Sequence, residues 1–298
     1  MKELKRATTF DEQIAKFNNR KLIMSDSALV EKVLSDIGYY RFSGYTYLFY
    51  KKNTDIFRQG VSIEEIYAAY EMDEEYRALL LKYLSKIEVR LKSSISNRLG
   101  LLLGPGFYLK YDPQIFTNQE NHESFLEILK SEKRKSKAPF VVHHNKEYGG
   151  NLPIWAAMEI LSFGDVSKMY RNLKKQCQQA IEQDFNGINY ILLASWFQGL
   201  SIVRNMCAHN NRLYKVTVSY TYNNNHKNGT DRAYAFKEKK LFTAFQVIGI
   251  LMRGDEDREK FVSEIKAIAN KYSTYKSLSL KNAYGFTADW EDILMKQK

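Results

Sequence analysis

Cysteine is nearly absent from this sequence: Cys177 and Cys207 are the only two in 298 residues. Neither belongs to a C-x-x-C pair, which argues against a disulfide framework or a cysteine zinc site. Proline (four) and glycine (fifteen) are also scarce, against a fibrous or disordered chain. No run approaches about 18 consecutive apolar residues, so no membrane-spanning helix is expected. The opening MKELKRATTFDEQ has no apolar segment behind its charges, so no secretory signal is expected either. These absences predict a cytoplasmic protein. Metal-ligand spacing is missing too. His143 and His144 are adjacent and isolated, His122 and His226 fall in stretches that read as polar loops, and no Asp/Glu cluster stands out. No metal and no cofactor is expected.

What the chain does have is apolar mass and positive charge. Hydrophobic residues make up 44% and aromatics 14%, enough for a sizeable core. Lys plus Arg number 45 against 34 Asp plus Glu, a net charge of +11. From Arg204 to Lys240 there are eight basic residues (Arg204, Arg212, Lys215, Lys227, Arg232, Lys237, Lys239, Lys240) and two acidic ones, Asp231 and Glu238. A second run, SEKRKSK, contains Lys133, Arg134 and Lys135. Clustered positive charge of this kind favours a polyanion, with nucleic acid first. A solvated basic surface would read the same way.

Helical periodicity dominates. Short helices are predicted over 10–19 and 26–37, then a helix over 62–72 capped by Ser62 and a long one over 74–101, with apolar Leu80, Leu84, Ile87 and Leu91 along one stripe. Further helices are predicted over 119–134, after Pro153, through ILLASWFQGLSIVRNMCAHNNRLY, and over 238–252 and 256–272. IGYYRFSGY (37–45) is open between strand, turn and irregular packing. The stretch after 134 reads as mobile. VTVSYTY (216–222) alternates and is β-branched, so a short strand or hairpin arm is expected. The fold class is mostly α, a helical bundle with irregular and short β additions. A single domain over 1–298 is expected: a helical N-terminal part at about 1–60, a bundle core at about 61–214 and a basic extension at about 215–298.

One stretch carries chemistry. SIVRNMCAHNNRLY (201–214) sets Arg204, Asn205 and His209 into an otherwise apolar run. On a helix with about 100° per residue, Asn205 and His209 lie about 40° apart and Arg204 about 100° to the other side. RNA supplies its own nucleophile, the 2′-hydroxyl. A histidine can remove its proton or protonate the leaving 5′-oxygen. An arginine can bind the scissile phosphate and offset its growing charge, and an asparagine can hold the imidazole or a phosphate oxygen. The pattern alone is weak, because a buried helix with a polar edge gives the same letters.

RNMCAHNNRLY resembles the R-N-x-x-A-H-x-x-R-L-[YW] core of the Abi-like family of bacterial abortive-infection proteins, the AbiD/AbiF type, which look like HEPN superfamily members. TFDEQIAKF, IGYYRFSGY, YEMDEEYRALLLKYLSKIEVRLKSSI, LPIWAAMEILSFGDVSKMY and YGFTADWEDIL resemble family blocks in family order, over roughly 9–295. The resemblance implies a HEPN-type bundle, phage defence, RNA as ligand and metal-independent cleavage at a composite site of two R-x4-6-H motifs. It maps Arg204, Asn205 and His209 onto that motif. It also implies that a small noncoding RNA can act as a restraint. Arg204 to His209 is the single pair in the sequence with that spacing, so the active form is expected to be a homodimer.

Around the motif, Arg212, Lys215, Lys237, Lys239 and Lys240, with Lys133, Arg134 and Lys135, are the candidate RNA contacts. Glu88 and Arg90 could orient the Arg204 region, although a solvated Glu88–Lys92 helix pair explains the acid more simply. Tyr39, Tyr40 and Tyr45 could stack on bases or serve as core and cap residues, and Trp155 and Trp196 read as core. The alternative function is a non-catalytic RNA-binding regulator with a vestigial site. A DNA-binding repressor ranks below both, because no helix-turn-helix with a basic recognition helix stands out.

Overall fold

The computed structural model describes residues 3–224, 236 and 239–296. The chain is mostly α, as the periodicity predicts. Helix α1 (Phe10–Asn19) begins in a capping box, with Thr9 accepting from the Glu12 backbone N–H and the Glu12 carboxylate accepting from that of Thr9. Helix α2 (Ser27–Lys32) runs on into a π-helical turn at Val33–Ile37. Gly38, at φ 82, reverses the chain into α3 (Tyr39–Thr46), so IGYYRFSGY is a helix rather than a strand.

The two helices expected over 62–72 and 74–101 are one. Helix α4 (Ile63–Ser94) continues through a π turn (Ile95–Leu99) into α5 (Gly100–Leu103). Its 32 residues include no glycine or proline, Ser62 caps it, and Glu64 and Glu65 sit in the first turn. Asp73, which read as a break, is buried at 0% exposure within the helix. At about 1.5 Å per residue α4 is roughly 48 Å long, and the rest of the chain is arranged around it.

Helices α6 (Gln119–Lys135), α7 (Pro139–Glu147), α8 (Ile154–Ile160), α9 (Phe163–Asn172) and α10 (Lys175–Glu182) follow. The stretch after 134 is thus partly helical, with Pro139 at the start of α7 where its missing N–H costs nothing. Helix α11 (Tyr190–Ala208) packs against α4 and α9, and α12 (Phe242–Leu251) and α13 (Asp255–Lys271) close the other side of α4. Helices α14 (Leu280–Tyr284) and α15 (Trp290–Met295) finish the chain. The buried apolar residues form a cluster that includes Phe17, Tyr83, Trp196, Phe245 and Leu294.

Three expectations are overturned. VTVSYTY forms no strand; among the described residues, β pairing is limited to isolated bridges elsewhere. Its alternation is real, but the buried side chains Val218 and Tyr222 lie on helices instead of a sheet. Tyr220 and Tyr222 press so closely on Gly199 of α11 that a Cβ there would collide with both rings. Trp155 is 53% exposed rather than core, on a helix too short to bury both faces, whereas Trp196 is fully buried. His122 is likewise no loop residue: it lies buried in α6, its Nε2 2.8 Å from the Tyr108 carbonyl oxygen and its ring 4.4 Å from that of Phe116.

Candidate functional site

Helix α11 delivers the motif. Its apolar residues Leu193, Phe197, Leu200, Val203 and Cys207 are buried, which turns the polar edge outward. The helix ends earlier than its letters suggest. Ala208 is its last residue, His209 caps it with its N–H on the Asn205 carbonyl at 3.0 Å, and Asn210 turns left-handed at φ 53. Asparagine tolerates that conformation better than most residues. Arg212, within the stretch expected to be helical, therefore lies on a loop.

The motif side chains part company. Arg204 is half-buried and turns to α4, where its Nε lies 3.4 Å from Glu88 Oε2. Lys92 approaches the other oxygen of Glu88 at 3.0 Å. Both readings of Glu88 hold together: it pairs within its own helix and positions Arg204. Arg90 does not join them. It points to the opposite side of α4, onto the carbonyls of Asp184 and Leu251. Asn205 and His209 are exposed.

Beside His209 the loop is fastened to α3. Arg41 donates to the Asn210 carbonyl at 2.7 Å. Arg212 donates to the Gly44 carbonyl and, at 2.8 Å, to the Tyr47 hydroxyl, with its guanidinium 4.9 Å from the Tyr47 ring centre. A shallow groove of about 480 Å³ opens there, lined by Tyr40, Arg41, Tyr47 and residues 210–212. Of the three tyrosines considered for stacking, Tyr40 is 92% exposed, Tyr39 packs on Phe17 at 5.2 Å and Tyr45 is buried.

Behind the loop sits a residue that sequence reasoning missed. The buried Asp73 carboxylate accepts from the Leu213 backbone N–H (2.8 Å), Tyr45 Oη (2.7 Å), Arg77 Nη1 (2.8 Å) and Tyr284 Oη (3.1 Å). Burial pushes its pKa above the usual carboxylate value, and the donors partly offset that. The i, i+4 spacing of Asp73 and Arg77 was the available signal, but such pairs are common on solvated helix faces. Nearby, burial pushes the Cys207 thiol up to about 12, so it is a core residue and no nucleophile.

The proposed RNA contacts are scattered. Lys215, at φ 53, is half-buried beside the rings of Tyr214 and Phe49, and burial lowers its pKa. Lys239 and Lys240 are exposed, while Lys237 lies outside the described residues. Lys133 donates to the Gly150 carbonyl at 2.7 Å, Lys135 pairs with Glu132 at 2.7 Å, and Arg134 is exposed at the same helix end.

A family profile described as Abi-like protein matches residues 32–215, well over half the chain. The chain belongs to the Abi-like family. The matched span closes just after the motif loop and leaves the outermost resembling blocks, TFDEQIAKF and YGFTADWEDIL, beyond it. No curated protein and no solved structure matches this chain. Membership points to abortive infection, a form of phage defence. Among the described residues no helix is long and apolar enough to cross a membrane, and no group of three or more His, Cys, Asp or Glu residues is arranged to hold a metal ion.

Proposed function

We propose that this Abi-like protein is a phage-defence endoribonuclease of the HEPN type that cleaves RNA without a metal ion. One observation supports the reading most: the last turns of a buried helix carry all three motif residues, with Asn205 and His209 exposed and Arg204 held on α4 by Glu88. His209 removes the proton from a 2′-hydroxyl as the oxygen bonds to phosphorus. The P–O5′ bond breaks, and the leaving oxygen takes a proton. The products are a 2′,3′-cyclic phosphate and a 5′-hydroxyl. Arg204 offsets the charge on the phosphorane oxygens. The reaction needs a base at one oxygen and an acid at the other, and one chain offers one such histidine. Two chains about a twofold axis supply both, so the active species is a homodimer, and an RNA that separates the copies, such as a small noncoding RNA, restrains it. Tyr40 and Tyr47 beside His209 offer stacking surfaces for the flanking bases. Lys239 and Lys240 are exposed for phosphate contacts.

The Arg204–Glu88 ion pair favours a second reading. An arginine already neutralised by a carboxylate suits an RNA-binding regulator without catalysis. Cleavage assays in EDTA with mapped product ends separate the two. His209→Ala is expected to slow cleavage by about 10²–10⁴-fold, with cyclic phosphate ends in the wild type. Mixing His209→Ala chains into wild type is expected to suppress activity. A magnesium requirement, or full activity in His209→Ala, rejects the nuclease reading. RNA binding without cleavage in the wild type selects the second.

A further inference from the structure

On the far side of α4 from Arg204, the chain forms a groove of about 730 Å³ between α4, α5, Asp184 and Arg253. Its charge is unbalanced. Lys86, Arg90, Arg98 and Arg253 line it; Lys86 has its own partner in Asp257 at 3.1 Å, and the single carboxylate of the lining is Asp184. That carboxylate is fully occupied: Arg98 Nε and Nη2 hold its two oxygens at 3.0 and 2.8 Å, and Ser94 Oγ donates at 2.6 Å. Arg90 is directed to main-chain carbonyls, which position a guanidinium without neutralising it, and it lies 4.2 Å from the Phe185 ring centre. Arg253 is exposed, with no hydrogen bond or ion pair among the described residues. Burial and the neighbouring Arg253 push the Arg90 pKa down to about 10, in keeping with cations set close together without enough counter-charge.

The remaining lining matches the rest of a nucleotide. Ser93 and Asn97 offer neutral polar groups, and Val89 (62% exposed) and Leu101 (89% exposed) offer apolar surface at the rim. An anion here completes the charge balance without displacing any bond described above. We propose that this groove binds one phosphorylated nucleotide, its phosphate against Arg253 and Arg98 and its base on Val89 and Leu101. The nucleotide is either free or one unit of an RNA strand. The inference goes beyond the cleavage reading and uses neither Arg204 nor His209.

Calorimetric titration with adenosine 5′-monophosphate tests it, run on the full-length His209→Ala protein so that cleavage plays no part. Binding is expected, and Arg253→Glu should weaken it about tenfold or more, the scale of one lost charged hydrogen bond. Adenosine without phosphate should bind at least as weakly, and circular dichroism should show Arg253→Glu folded as the wild type is, since Arg253 is exposed and makes no hydrogen bond or ion pair among the described residues. Displacement of the nucleotide by a single-stranded RNA dodecamer assigns the site to an RNA strand; binding without displacement assigns it to a free nucleotide. Either result upholds the groove. No binding at millimolar nucleotide, or an affinity that Arg253→Glu leaves unchanged, overturns it. A nuclease that fails on RNA but binds the nucleotide here would reject the cleavage reading alone.

Discussion

Asp73 and Glu88 lie on the same helix, four turns apart, and both face α11 or its loop, yet they have different surroundings. Asp73 is sealed, with donors from α3, α4, the motif loop and α14. Glu88 is also buried, at 8% exposure, but it holds only the side chains of Lys92 and a half-buried Arg204, at 3.0 and 3.4 Å. The difference separates two tasks. A buried carboxylate held by four donors from four parts of the chain fixes the backbone around it. A carboxylate holding a half-buried arginine at 3.4 Å sets that arginine's direction and touches no main-chain group.

The largest effect that would break this comparison is at the sealed end. Asp73→Ala strands Arg77 without its counter-ion and removes the acceptor from two tyrosines and a main-chain N–H, which is expected to cost about 3–5 kcal/mol. Urea unfolding measures it; a loss under about 1 kcal/mol would show that the site relaxes or admits water. Next comes Gly199→Ala, which drives a methyl group into the Tyr220 and Tyr222 rings. Overpacking of this kind costs about 1–3 kcal/mol, and an unchanged melting temperature would mean that 216–222 detaches easily from α11. Glu88→Gln leaves the buried ends of Lys92 and Arg204 without their counter-charge, a loss of about 1–3 kcal/mol, smaller than at Asp73, and should alter RNA cleavage or RNA affinity because Arg204 loses its guide. Equal effects on stability at Glu88 and Asp73 would erase the distinction.

The smallest effect is a pH dependence, and it sharpens the comparison by bringing in Asp184. Hydrogen bonds from Arg98 hold the Asp184 pKa below the usual value, whereas burial raises that of Asp73. Asp184 therefore adds stability that is complete above about pH 4, the unfolded carboxylate value, and is lost as pH falls through its lower folded value. Asp73 has the opposite sign: its folded form binds a proton more tightly, so acidification through its raised value favours folding. Unfolding of Asp184→Asn across pH 3–7 should show a flatter acid limb than wild type. A steeper limb would contradict the assignment.

Much of the architecture was legible because apolar periodicity is a local property. α1, α6 and α13 sit within a residue or two of their expected bounds, since their caps and stripes lie within the segment itself. The motif was legible for the same reason. What was hidden depends on partners distant in sequence. Asp73 fell between two expected helices and was passed over, because its donors Leu213 and Tyr284 lie 140 and 211 residues away. VTVSYTY carried the period of a strand, but that period reports alternate burial and does not say whether a sheet or a helix does the covering. The end of α11 was legible in part: Asn210 and Asn211 are residues that break helices, and Asn210 does so here.

The Asp73 cluster also sets an order in time. A ribosome makes Asp73 early, the motif loop long afterwards and Tyr284 later still, 211 positions downstream. Until that tyrosine emerges, the carboxylate beneath the motif loop lacks one of its donors, and α14, whose Ala283 carbonyl accepts from Lys215 in the same loop at 2.8 Å, has not yet docked. A nascent chain that already carries Arg204 and His209 thus holds its loop without this last anchor through the 75 residues from His209 to Tyr284, so the loop's final setting is a late event in making the chain.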